Sequence, residues 1–391
     1  MSKLYQAIFI LSSILIIGCS DVDDSLRESE NDLFADASSA SSGSGEADPN
    51  QSSEEAGLIT AGEWNDLDNW NFWTDIISQG EHSDKPGYWD FYPSRRISVS
   101  VSGNFGPAVD KALRLVDGGN TTVWSARTDN FGKAELWVRP FEEGLSGDLS
   151  EYSLVINERN IDLSYFEDGI NEIVTDDSGL GSTRVDLSFI VDATGSMGDE
   201  LEFLKEDLQD VISKVQQENS SLQIQTSSVF YRDEGDAYVV RQSDFTSDLN
   251  RTVGFIEDQM AEGGGDFPEA VHSGLETAID DLDWSENART RIAFLLLDAP
   301  PHHNMQVILE LQESIQQAAH KGIKLIPITA SGIDKNTEFL MRFFSVLTNG
   351  TYVFITNDSG IGNNHIEASV GDFEVEFLND LMVRLINKYS E

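Results

Sequence analysis

The stretch from Arg184 to Met197 constrains this chain most. Arg184 to Val191 is an apolar run of strand length, rich in β-branched residues, and it stops abruptly at Asp192. Ala193, Thr194, Gly195, Ser196 and Met197 then lead straight into a helical pattern. That sequence is a strand end opening into a loop. In open α/β sheets ligands bind outside the carboxyl ends of the strands, so Asp192, Thr194 and Ser196 stand where a site would be built. Three hard oxygen donors at alternate positions suit a hard divalent cation. The competing reading is that Thr194 or Ser196 only caps the following helix.

Downstream, strands and helices alternate, which predicts a mainly parallel sheet with helices on both faces. Strands are expected at 185–191, 223–231, 238–242, 291–297, 324–329 and 351–355. Helices are expected at 197–218, 248–260, 270–282, 306–321, 335–347 and 373–388. Leu201, Leu204, Leu208, Val211, Ile212 and Val215 recur at helical spacing in the first of these helices. The most apolar strand, Arg291 to Leu297, again ends in a carboxylate, Asp298. A third loop, Gly263-Gly264-Gly265-Asp266-Phe267-Pro268-Glu269, opens another helix. Right-handed crossovers place such loops on one edge of a doubly wound sheet.

Taken together, these segments resemble the von Willebrand factor type A (VWA) domain over about Val185 to Lys388. The family's metal-ion-dependent adhesion site has an Asp-x-Ser-x-Ser motif, a threonine on a second loop and an aspartate on a third. Asp192, Thr194 and Ser196 match the first motif, with Thr in place of the first Ser, and Asp298 matches the last position. Asp266 falls where the family usually has threonine. The resemblance implies a divalent cation held by Asp192, Thr194, Ser196, Asp266 and Asp298, with one position open to a partner. Magnesium suits hydroxyl and carboxylate donors, with Mn2+ or Ca2+ as alternatives. A third carboxylate would leave the site plus cation at about −1, tightening metal binding and weakening the pull on acidic ligands.

Other residues near these loops have two readings each. Glu269 is an outer acceptor or simply a helix-start residue. Arg232, in Tyr231-Arg232-Asp233-Glu234-Gly235-Asp236, either neutralises part of the acidic rim or sits on a solvated turn. His302 and His303 follow Asp298-Ala299-Pro300-Pro301 and offer the case for a metal-assisted hydrolase. The oxygen-rich donor set argues for a non-enzymatic binding module instead. The glycine run is no phosphate cradle, because no Lys-Ser or Lys-Thr pair follows it and Asp266 would repel phosphate.

The N-terminal half is organised differently. Lys3, the apolar Ala7 to Ile17 and Ile16-Ile17-Gly18-Cys19 resemble a bacterial lipoprotein signal with Cys19 as the lipidated residue. Cys19 is the single cysteine, so no thiol is left for a disulfide or a zinc-cysteine site. By the same resemblance, Ser20 implies sorting to the outer membrane, and the acidic residues Asp21, Asp23 and Asp24 look like a surface-export signal of some bacteria. Residues 20–57, rich in Ser, Gly and carboxylates, read as a disordered tether. From 58 to 174, short alternating runs separated by Gly, Asn and Asp predict an all-β sandwich, with Asp129-Asn130-Phe131-Gly132 as a hairpin turn. The span Gly106 to Val138 resembles the carboxypeptidase-regulatory or transthyretin-like β-sandwich. Trp64, Trp70, Trp73, Trp89 and their aromatic neighbours are a core or a sugar-stacking platform.

The expected architecture is therefore a signal at 1–19, a tether at 20–57, a β-sandwich at 58–174, a linker at 175–183 and an α/β doubly wound domain at 184–391. With 25 Lys and Arg against 69 Asp and Glu, the formal net charge is −44. Such a field disfavours nucleic acid and anionic membranes, leaving lipid on Cys19 as the membrane contact. A protein or matrix-like ligand, bound through the cation, is the expected partner.

Overall fold

Five strands that each end near a chain reversal build the centre of the molecule, and the reason is their composition. In the computed structural model, which describes residues 57–144, 148–176, 181–358, 360 and 365–391, these strands are apolar on both faces. Ile190, Val229, Ala293, Leu295 and Leu297 point into one core. Val185, Leu187, Phe189, Val191, Phe230, Phe294 and Leu296 point into the other. This period of two is what a sheet covered on both sides requires. The signal segment, Cys19 and all but the last residue of the tether fall outside the described residues, as do residues 177–180 of the linker.

In chain order the elements are β1 (Thr60–Trp64), α1 (Trp70–Ser78), α2 (Lys85–Trp89), β2 (Arg96–Gly103), β3 (Gly106–Pro107), β4 (Ala112–Asp117), β5 (Thr122–Arg127), β6 (Lys133–Trp137), β7 (Tyr152–Ile156), β8 (Arg159–Ile161) and β9 (Asn171–Val174). There follow β10 (Arg184–Asp192), α3 (Gly198–Glu218), β11 (Gln223–Tyr231), β12 (Val240–Thr246), α4 (Leu249–Glu257), α5 (Val271–Glu276), β13 (Thr290–Leu297), α6 (Met305–Lys321), β14 (Ile323–Thr329), α7 (Lys335–Leu347), β15 (Tyr352–Ile355), β16 (Val375–Phe377) and α8 (Leu378–Ser390).

The eight-stranded sheet has the order β12-β11-β10-β13-β14-β15-β1-β16. Strands β11, β10, β13, β14 and β15 are mutually parallel, while β12, β1 and β16 are antiparallel additions at the two ends. From β10 the chain moves outward to β11, and it later returns to lay β13 on the other side of β10. The junction of β10 and β13 is thus a topological switch point, where two loops diverge and leave a crevice. Helices α3, α4 and α8 cover one face, and α5, α6 and α7 the other. Local caps agree with these boundaries: the Asn304 side chain accepts the Val307 amide at 3.1 Å and that of Asp334 accepts the Thr337 amide at 2.8 Å. Gly322, at φ 72°, closes α6.

Two further sheets, each four-stranded, come from the segment before β10: β3-β2-β6 with β9 alongside β2, and β5-β4-β7-β8. The segment is not all-β and not separate. Its aromatic-rich start forms α1 and α2, because Trp70, Trp73 and Trp89 bury their rings on helix faces. Thr60–Trp64 is a strand of the large sheet, paired with β15 and β16. Asp129 to Gly132 does form a turn, closed by the Gly132 amide to the Asp129 carbonyl at 2.9 Å. It is a corner between sheets and not a hairpin, since β5 pairs with β4 and β6 with β2. The end of the chain differs as well: Val375–Phe377 is extended, and the last helix begins only at Leu378, because this alternating segment completes the edge beside β1.

The described residues, from Gly57 to Glu391, cluster as one compact unit. Ion pairs buried from solvent tie its parts together. Arg342 of α7 holds Asp66, Arg291 of β13 holds Asp110 at 2.9 Å, and Lys324 of β14 holds Asp129 at 3.2 Å. Trp73 stacks on Phe339 with ring centres 5.6 Å apart, so the apolar core runs without a break from the small sheets to the large one.

Candidate functional site

At the end of β10, Asp192 and Thr194 are both fully buried. Asp192 Oδ1 accepts the Thr194 amide at 2.9 Å and the Thr194 hydroxyl at 2.7 Å. The Thr194 and Ser196 hydroxyls lie 3.2 Å apart, and Ser196 faces solvent. Neither hydroxyl caps a helix: the 3-10 turn Gly195–Met197 and helix α3 both start without a side-chain cap. The side chains therefore face the crevice instead of serving α3.

A second loop is zipped onto the first. The Gly195 amide donates to the Gly263 carbonyl at 3.1 Å, and the Glu262 amide to the Ala193 carbonyl at 3.1 Å. Glycine is required twice here. Gly263 and Gly264 have φ of 83° and 68°. A Cβ on Gly263 would lie 2.3 Å from Asp236 Oδ2, and one on Gly264 would lie 2.8 Å from Glu269 Oε1 and 3.3 Å from the Thr194 Cβ. The third loop follows β13, where Asp298 is buried; the Glu269 amide donates to the Pro300 carbonyl at 2.9 Å.

The structure thus gathers Asp192, Thr194, Ser196, Asp298 and Glu269. Asp266 is on the same glycine loop but stands exposed. The buried acid of that loop is Glu269, which sequence reasoning treated as peripheral. Two further carboxylates were missed. Asp233 is buried just past β11 and its charge acts on Asp192 and Glu269. Glu200, one turn into α3, accepts the Ser331 amide at 3.1 Å and acts on Asp298. Asp233 was detectable, since it lies two residues past the end of β11, the strand beside β10, and obeys the same strand-end rule as Asp192.

These acids are electrostatically frustrated. Burial, and then the charge of Asp233, raises the pKa of Asp192 against the hydrogen bonds from Thr194. Burial, Asp192 and Glu200 raise that of Asp298, opposed by Ser196. Glu269 is pushed up to about 9, by burial first and then by Asp192, Asp233, Asp298 and Asp236. Tyr231, fully buried next to them, is held well above the usual phenol range by burial and then by Asp192, Asp298 and Glu269. Asp298 Oδ1 and Glu269 Oε2 have no hydrogen-bond partner, and Asp192 Oδ2 has none at full hydrogen-bond geometry, although the buried Tyr231 hydroxyl faces Asp192 closely enough to favour its ionised form. Buried oxygens left this way cost free energy that a cation would recover. Among the described residues no three His, Cys, Asp or Glu side chains converge as a metal cluster on their own. Any cation here would need the hydroxyls of Thr194 and Ser196 in its shell.

Arg232 is buried but turned away. Its guanidinium donates to the Met260 carbonyl at 2.7 Å, lies 4.4 Å from the Tyr238 ring centre and reaches Glu262 at 3.5 Å. His302 Nε2 is 2.7 Å from Asp233 Oδ1. His303 stacks on Tyr88 at 3.9 Å between ring centres, and its Nε2 is 2.7 Å from the Tyr88 carbonyl.

The chain is similar to an ariadne-like RING finger protein of Acanthamoeba polyphaga mimivirus, 39% identical over 119 residues, 30% of this chain and 11% of that protein. It is also similar to an alpha-protein kinase of Dictyostelium discoideum, 30% identical over 178 residues, 44% of this chain and 27% of the kinase. The chain thus spans a small part of either relative's length. Among solved structures, BatB from Bacteroides thetaiotaomicron has a TM-score of 0.36 at 14% identity, covering 53% of this chain and 98% of that one. Proximal thread matrix protein 1 from the mussel byssus has 0.34 at 13% identity, covering 54% and 46%. The family profile of the von Willebrand factor A domain matches residues 186–342, the segment that supplies β10, β11, β13 and the three loops of the site, and the chain therefore carries a VWA domain there.

Proposed function

We propose that the VWA domain is a cation-dependent binding head. In this reading it engages a protein or extracellular-matrix-like ligand through a divalent ion held by Asp192, Thr194, Ser196 and Asp298. Its oxygen donors suit Mg2+, with Mn2+ or Ca2+ as alternatives. When bound, the cation would supply charge neutralisation and an open coordination position. The chain's own part is to fix Asp192 through Thr194, present the Ser196 hydroxyl to solvent and keep the acids dry. The observation that carries this reading is the pair of buried oxygens without a full hydrogen bond, Asp192 Oδ2 and Asp298 Oδ1, at the switch point of the sheet. The exposed Asp266 would act on the ligand side of the rim.

The rest of the chain completes the proposal. Lipid on Cys19 would anchor the protein in a bacterial envelope, at the outer membrane on either its periplasmic or its outer face, with residues 20–57 as the tether. The two small sheets, in the sandwich reading, would serve as a rigid mount. The head is read as non-enzymatic, because His302 is engaged by Asp233 and His303 by Tyr88. A metal-assisted hydrolase using those histidines, or a scaffold with a purely structural ion, are the alternatives. Capture from envelope or host material tests all three readings. Partner recovered with Mg2+, lost with chelator and lost in Asp298→Ala supports the binding head, and capture indifferent to both refutes it.

A further inference from the structure

Glu269 has no part in the pattern that drew attention to this site, yet its surroundings single it out. It is 3% exposed, although it lies in a surface loop between an exposed Phe267 and the short helix α5. Its backbone is pinned beside Asp298, through its amide to the Pro300 carbonyl at 2.9 Å and a parallel bridge to Pro301. Its carboxylate and the Thr194 side chain flank the same point of Gly264, where a side chain would collide with both. Oε2 has no partner, and the nearest charges acting on it are Asp192, Asp233, Asp298 and Asp236, all negative. Among the described residues, Arg232 is spent on the Met260 carbonyl and Tyr238, and His302 reaches Asp233.

From this placement we infer that Glu269, and not Asp266, is the third carboxylate of the cation site, contacting the ion directly or through one water, and that it sets the choice of metal toward Ca2+. The inference rests on the metal-binding reading above and deepens it. Magnesium keeps several waters and is bound through one or two carboxylates, whereas calcium takes six to eight oxygens in flexible geometry and is favoured by added ligand charge. A longer acidic side chain that is pinned to the Asp298 loop through Pro301 and emerges next to Thr194 supplies that extra oxygen, through a water where it does not touch the ion itself. The glycine run then has a specific role. Gly264 leaves the gap through which the carboxylate passes next to Thr194.

Isothermal titration of the full chain with CaCl2 and with MgCl2 separately tests the assignment, on wild type and on Glu269→Gln, Asp266→Asn and Asp192→Ala. Expected are a loss of about tenfold or more in Ca2+ affinity for Glu269→Gln with a smaller loss for Mg2+, and a change under about twofold for the exposed Asp266→Asn. Glu269→Gln binding both ions as wild type does, or Asp266→Asn suffering the larger loss, overturns the inference while leaving the site standing. Wild type binding neither ion overturns the site itself. Circular dichroism in chelator establishes that each variant folds. If Glu269→Gln does not, Glu269→Asp, which keeps the charge but withdraws it by one methylene, must show the same fall in Ca2+ preference, and an unchanged ratio there refutes the assignment.

Discussion

Asp66 accepts two hydrogen bonds from the Arg342 guanidinium, at 2.9 Å to Oδ2 and 2.6 Å to Oδ1, with both side chains sealed from solvent. One residue lies ahead of the small sheets and the other on α7, inside the VWA domain. Removing Asp66 leaves the buried Arg342 with one longer carboxylate contact, to Glu338 at 3.6 Å, and breaking a buried pair costs about 3 to 5 kcal/mol. Asp66→Ala should therefore lower the urea midpoint of the whole chain in a single transition. A separate early transition for the small sheets, with the VWA signal unchanged, would show that the two parts fold independently.

The same continuity predicts the result of truncation. A chain beginning at Arg184 lacks β1 and leaves the β15 edge and the aromatic face of α7 uncovered. It should be poorly soluble or molten, with dye binding to exposed apolar surface as the measurement.

With its charge buried and only Oδ1 fully hydrogen-bonded, Asp192 should be a liability to stability in the absence of metal. Asp192→Asn keeps an oxygen for Thr194 and removes the buried charge, so in chelator its melting temperature should equal or exceed that of wild type. With Mg2+ or Ca2+ at a hundred times Kd, wild type should gain about 2.7 kcal/mol and the variant nothing. A variant still stabilised by cation would mean that Asp192 does not help hold it.

Gly263→Ala should fail at the same site for a steric reason. At φ 83°, with Asp236 Oδ2 only 2.3 Å from the new Cβ, the loop must shift, at about 1 to 3 kcal/mol. Cation affinity measured by calorimetry should fall with it, while Gly265→Ala, with nothing nearby, should be mild in comparison.

Acid sensitivity is expected from His82, whose buried ring nitrogens have no hydrogen-bond partner. Burial, outweighing the nearby Glu338 carboxylate, lowers its pKa from 6.5 to about 4. Between those values the unfolded chain binds the proton and the folded one does not, so stability is full above pH 6.5 and declines as pH falls toward 4. The total loss is about 3 kcal/mol. Denaturation of wild type and His82→Leu across pH 4 to 7 should show a steeper decline in wild type, and parallel curves would remove His82 as its source.

Much of the site could be read directly from the chain because strand ends announce themselves. The run from Arg184 to Val191 could bury both faces only as a central strand, and so Asp192 had to emerge at a sheet edge with Thr194 and Ser196 behind it. Asp298 follows from the same reasoning applied to Arg291–Leu297. Periodicity likewise located the helix at 335–347 and the strand at 223–231, since each pattern repeats over its full length.

Tertiary structure alone decided which acid of the glycine loop turns inward. Asp266 and Glu269 are three residues apart and chemically alike; only the bridge from Glu269 to Pro301 and the gap at Gly264 bury one and leave the other in water. It also decided where the domain starts. Thr60–Trp64 carries no mark of the partner it will pair with, because strand pairing is set by contacts hundreds of residues distant, and a short alternating run fits either a small sheet or the edge of a large one. Local chemistry fixed what each segment could be, and long-range packing chose the neighbours that gave it a function.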